Sequence, residues 1–84
     1  MSLHLVFSAG GWQSCQALVV PEDAVVLLGD GAYLVHKAAH GGQMFVLQED
    51  LAIRGLDESS EAMAISYTQL VDLTVKHKPV VSWS

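Results

Sequence analysis

The side chains able to do chemistry in this sequence are few and far apart. Its one obvious nucleophile is Cys15, within Trp12-Gln13-Ser14-Cys15-Gln16-Ala17-Leu18. A thiol carries persulfide sulfur when a helix N-terminus or a nearby cation lowers its pKa, yet no Lys or Arg lies near Cys15 along the chain. A lone Cys on a short helix reads as a small core residue, which leaves Cys15 a weak catalytic candidate. With a single cysteine there is no internal disulfide and no CxxC pair, as expected of a reducing compartment. The histidines, His4, His36, His40 and His77, form no HExxH motif. His36 and His40 are spaced to share a helix face but lack a third ligand. No GxSxG elbow is present. The expectation is no metal, no cofactor and no assembled catalytic constellation.

The elements that must position these residues follow from apolar runs. Leu3–Phe7, Ala24–Leu28 and Met44–Leu47 are continuous rather than alternating, the pattern of parallel strands buried on both faces. Between them, 12–20, 32–39 and 49–55 have helical spacing, with breaks at Pro21, Gly29-Asp30-Gly31 and Gly41-Gly42. A fourth strand is expected at Ala62–Ser66 and a helix at Tyr67–His77, with Thr68 as its cap. Pro79 ends that helix, and Val80–Trp83 reads as an edge strand. Alternation of this kind predicts an α/β fold, a small sandwich with a central, mostly parallel sheet of about five strands flanked by helices. Residues 1–84 read as a single domain.

Ligands of open parallel sheets collect beyond the carboxyl ends of the strands. That rim would carry Ser8, Gly10, Gly11, Asp30, Gly31, Gln48, Glu49 and Asp50. The Gly10-Gly11 and Gly29-Asp30-Gly31 turns make neither GxGxxG nor a phosphate loop. Asp30 either caps the helix that follows or holds backbone N–H groups of a partner. A free-standing small-ligand domain built on these turns is a further reading, which the acidic rim opposes.

Bulk composition narrows the function classes. Of 84 residues, 51% are hydrophobic and only 15% charged, with mean hydropathy +0.37. Such a chain exposes apolar patches, and such patches mark partner surfaces. No apolar run reaches the ~18 residues of a membrane span, and Met1-Ser2-Leu3-His4 lacks the basic start of a signal peptide. A cytoplasmic location is expected. The net charge of −5 opposes direct nucleic-acid binding. Lys76-His77-Lys78, the one basic cluster, suits the last turn of a helix.

Three blocks together resemble one family. Asp30-Gly31 follows an apolar strand; Leu47-x-x-Asp50-Leu51-Ala52-x-Arg54-Gly55-Leu56 forms the most specific block; Tyr67-x-x-Leu70-Val71-x-Leu73 with His77 and then Trp83 completes the pattern. Across essentially the whole chain these resemble the DsrH/TusB family. The resemblance implies the small subunit of a cytoplasmic heterohexamer, with TusC/DsrF-like and TusD/DsrE-like partners. It also implies a relay of persulfide sulfur, toward 2-thiolation of the tRNA wobble uridine in the Tus version and toward sulfur oxidation in the Dsr version. In this family the sulfur-carrying cysteine belongs to the TusD/DsrE-like subunit. Cys15 falls where Dsr-type members carry a cysteine, so a secondary sulfur acceptor is the alternative. Ser66 departs from the acidic residue that commonly precedes the Tyr. The expected role is contact with partners, or self-association without them, through Asp50, Leu51, Arg54 and Trp83. Arg54 would serve a partner carboxylate or carbonyl, or else pair within the chain with Asp57 or Glu58.

Overall fold

A computed structural model describes residues 1–38 and 40–84. Its elements run β1 (Leu3–Val6), α1 (Ala9–Cys15), β2 (Ala24–Leu27), a 3₁₀ helix (Gly29–Leu34), β3 (Gln43–Leu47), α2 (Gln48–Ile53), β4 (Met63–Ile65), α3 (Tyr67–Lys76) and β5 (Val80–Trp83). All five strands are parallel, in the order β4-β3-β2-β1-β5. The chain therefore steps outward from β1 to β4, and α3 carries it back across the sheet to place β5 beside β1.

Alternation along each strand splits the core in two. Val6, Val25, Leu27, Met44 and Val46 meet Cys15 of α1, Ala32 and Val35 of the 3₁₀ segment and Leu51 of α2 on one face. Leu3, Ala24, Val26, Leu47 and Ile65 meet Leu70 of α3 on the other, with Leu5, Phe45 and Leu73 packed alongside. Three short helical segments thus cover one face and a single helix covers the other. Reversal of the chain direction together with reversal of the covering face is what right-handed crossovers require.

Helix α1 and the 3₁₀ segment start earlier than expected, and α3 starts at Tyr67 as expected but with a different cap. Helix α1 begins at Ala9 rather than Trp12, because the Ser8 hydroxyl accepts the Gly11 N–H (3.0 Å) and caps it. It ends at Cys15 rather than Val20, where the N–H groups of Leu18 and Val19 both turn back to the Cys15 carbonyl. Gly10 and Gly11 are thus helical, and Gly11 is buried against the carbonyl of Trp83. The second helical segment is a 3₁₀ helix beginning at Gly29, not a helix from Ala32; Ala39, the last residue of that expected helix, lies outside the described residues. Asp30 does not cap it: the cap position is Leu28, which has no side-chain acceptor. In α3 the cap is Ser66, not Thr68. Ser66 Oγ accepts from Gln69 N (3.2 Å) while Ser66 N donates to Gln69 Oε1 (2.8 Å), a reciprocal capping box. Ser66→Ala is expected to cost about 1 kcal/mol of stability, and Thr68→Ala less than about 0.5 kcal/mol. Urea denaturation of the two variants checks the pair.

Candidate interaction rim at the carboxyl ends of the strands

Strand β3 passes into α2 with no loop between them, which puts Asp50 in the first turn of α2 beside the exit of β2. Its carboxylate does two jobs. Asp50 Oδ2 accepts the Gly29 N–H at 2.8 Å, joining α2 to β2 across the sheet, and Oδ1 accepts Arg54 Nη1 at 2.9 Å one helical turn later. Arg54 Nη2 then donates to Asp30 Oδ1 at 3.3 Å, and its guanidinium carbon lies 5.6 Å from the Tyr33 ring centre, within cation–π range. Partial burial draws the guanidinium pKa down, but Asp30 and Asp50 outweigh it and hold it above its ordinary value. Arg54 therefore pairs within the chain, with Asp50 and Asp30 rather than with Asp57 or Glu58.

The end of α2 accounts for the rest of the sequence block. Gly55 has φ +63°, the left-handed conformation open to glycine, and its N–H reaches Ala52 O (3.3 Å) while Leu56 N–H reaches Leu51 O (2.9 Å). These two bonds make a Schellman motif, with Leu51 buried and Leu56 packed on the same cluster. Asp50, Leu51, Arg54, Gly55 and Leu56 are thus all engaged inside the chain. Left facing outward around them are Asp30 (side chain 77% exposed), Tyr33 (54%) and Ile53 (77%).

The glycine turns offer no open cradle. Gly31 is buried, and a methyl group there would lie 2.1 Å from the Val6 carbonyl oxygen. The point where strand order reverses, between β1 and β5, is closed as well: Phe7 N donates to Trp83 O (2.9 Å), and Gly11 packs on that same carbonyl. His36 and His40 share no helix; His36 is exposed beyond the 3₁₀ segment and His40 Nε2 lies 2.8 Å from the Asp23 carbonyl oxygen. Cys15 is fully buried, and burial together with the charge of Asp23 pushes its thiol up to about 11.

A polar cluster that sequence spacing did not reveal lies on the face covered by α1. His4, Asp23 and Trp83 come together there, His4 Nε2 2.9 Å from Asp23 Oδ2 and Trp83 Nε1 donating to His4 Nδ1 at 3.0 Å. Asp23 also accepts the Ser2 N–H (2.8 Å) and, at 3.4 Å, that of Val20. Burial alone would raise this carboxyl, but the bonds from His4, Ser2 and Val20, together with electrostatic attraction to His4, hold it below its ordinary value of 3.8. Trp83, expected as a partner anchor, is half-buried and makes its polar contact within the chain.

These features define a small, all-parallel α/β protein whose strand-end rim is stapled by one guanidinium and two carboxylates. The family model for DsrH-like proteins matches residues 6–80, and the chain belongs to that family. Among curated relatives, Protein TusB of Yersinia enterocolitica is 40% identical over 79% of this chain and 80% of its own length, and Protein TusB of Yersinia pestis is 36% identical over the same shares. In structure the chain is similar to Protein Tm0979 from Thermotoga maritima, with TM-score 0.73 and 22% identity over 90% of this chain and 93% of that one, a likeness of fold. No helix among the described residues is long and apolar enough to cross a membrane.

Two outcomes are expected of this geometry. Asp50→Ala leaves the Gly29 N–H without its acceptor and costs about 2 kcal/mol, whereas Asp30→Ala, at the exposed end of the staple, leaves the urea midpoint essentially unchanged. For Asp23, a carboxyl held low in the folded chain stabilises it at neutral pH and loses that contribution as pH falls below about 4. Melting temperature measured against pH should therefore drop more steeply in acid for the wild type than for Asp23→Asn.

Proposed function

We propose that this DsrH-like chain is a noncatalytic subunit of a cytoplasmic sulfur-relay complex of the TusBCD kind, serving persulfide transfer toward 2-thiolation of the tRNA wobble uridine. The state of Cys15 carries this reading. It is the one cysteine of the chain, it is fully buried, and its thiol is pushed up to about 11. Sulfur acceptors need an accessible thiolate, so the relayed sulfur rides on partner cysteines, and this chain supplies surface. Burial of Cys15 also speaks against the alternative of a DsrH-type subunit using it as a secondary acceptor. Relatives carrying the name TusB at 36–40% identity favour thiolation over sulfur oxidation.

The contact surface centres on the rim. Asp50, Leu51 and Arg54 fix its shape from inside, while Tyr33, Ile53 and Asp30 meet the TusC/DsrF-like and TusD/DsrE-like chains of a heterohexamer. Aromatic and apolar side chains ringed by charge are the usual make-up of such a patch. Co-expression with the TusC- and TusD-like chains, followed by native mass spectrometry with and without a persulfide donor, tests the reading. A stable hetero-oligomer whose added sulfur maps to a partner is expected. Sulfur on Cys15 would overturn the noncatalytic role, and absence of any complex would overturn the assembly.

A further inference from the structure

His4 is buried on β1 with both ring nitrogens engaged. An indole N–H can only donate, so the Trp83 Nε1–His4 Nδ1 contact at 3.0 Å requires Nδ1 to be the unprotonated nitrogen. The ring proton is then on Nε2, which donates it to Asp23 Oδ2 at 2.9 Å. Ring planes 28° apart with centroids separated by 6.2 Å fit an N–H···N bond lying near both planes, not a face-to-face stack. The arrangement exists only for neutral imidazole in this one tautomer.

A second proton must go to Nδ1, where it would face the indole N–H, donor against donor. The groups around the ring decide what gives way. From the entry to β2 comes the Asp23 carboxylate, which gains an ion pair when the ring becomes cationic. Strand β5 has no ionisable side chain, the only ionisable side chain of α1 is Cys15, and the His40 ring meets the Asp23 carbonyl oxygen rather than His4. Asp23 keeps its partner in either state; Trp83 loses its acceptor. We propose that His4 is a proton-operated latch on edge strand β5: neutral, it seats the Trp83 indole, and protonated, it stays with Asp23 and releases the indole. Loosening then reaches the pairing of Phe7 N with Trp83 O and the packing of Gly11 on that carbonyl.

The test follows the Trp83 indole N–H and the His4 ring carbon Cε1 by NMR in one titration of the full chain, from about pH 8 to about pH 5, where an imidazole ordinarily changes charge. Both signals are expected to move with a single midpoint. Exchange protection of the indole proton, corrected for its intrinsic rate, should fall about fivefold, as the loss of one ordinary hydrogen bond implies. In His4→Asn the amide oxygen can accept at the Nδ1 position and cannot be protonated, so the indole signal should stay fixed. An indole that stays fixed while His4 titrates in the wild type overturns the latch. So does a His4 ring that does not titrate before the chain unfolds, or an equal indole shift in His4→Asn. Should that variant fail to fold, the paired wild-type titration decides alone.

Discussion

An all-parallel sheet buries side chains on both of its faces and so must be roofed twice, and in this chain the two roofs are unequal. Cys15, Ala32, Val35 and Leu51, from three separate helical segments, close one face, and the ten-residue α3 alone closes the other through Leu70 and Leu73. One such helix spans about 15 Å along its axis and about 10 Å across, whereas five strands at about 4.8 Å spacing are roughly 19 Å wide. The second face is therefore covered along its middle and bare toward its margins. Met63 on β4 and Val80 on β5, the two edge strands, are exposed accordingly, and Tyr67, Val71 and Val75 line the flank of α3. Apolar surface that the fold cannot cover by itself is the physical ground on which association with other chains rests.

The unequal roofing gives the strand-end rim its importance. Strand β3 enters α2 without a loop and the 3₁₀ helix follows β2 after one residue, so the segments covering the first face are short and need anchoring at their ends. Asp50 supplies the anchor by accepting one backbone N–H from the end of β2 and one guanidinium N–H from its own helix. The two halves of the staple differ in weight. The Asp50 half is largely shielded from water, while Asp30 at the far end stands in solvent, where ion pairs contribute little. Rigidity therefore resides in Asp50, and Asp30 is the member free to exchange Arg54 for another partner without cost to the fold.

Much of this was legible in the sequence. Continuous runs such as Ala24–Leu28 read as buried parallel strands, and the block from Leu47 to Leu56 reads as a strand end, a helical turn ending near Gly55 and an exit loop, while the Schellman bonds that close that turn show only in the structure. What escaped was set by contacts rather than by spacing. Helix α1 starts early because Ser8 caps it and because Gly11 lets it lie against Trp83, neither of which shows in apolar periodicity. Arg54 chose Asp30, far along the chain, over the nearby Asp57 and Glu58, since the sheet order brings the exits of β2 and β3 side by side. The His4–Trp83 bond joins residues 79 apart in sequence, and only the return of β5 to the side of β1 makes them neighbours.

The same topology separates the chain's reactive atoms from its surface. Cys15 ends α1 against the sheet, in the field of an Asp23 carboxylate whose own charge is held in place by His4 and two backbone N–H groups. A thiol turned inward beside a fixed negative charge is disfavoured as a thiolate on both counts, desolvation and repulsion. To make it a nucleophile would require opening the packing of α1 and moving or neutralising Asp23, and Asp23 also ties Ser2 and His4 to the entry of β2. Reactivity at Cys15 and integrity of that corner of the fold are therefore opposed. This opposition, more than the absence of any motif, is why the role proposed for the chain rests on its outer surface, where Tyr33, Ile53 and Asp30 stand clear of the core.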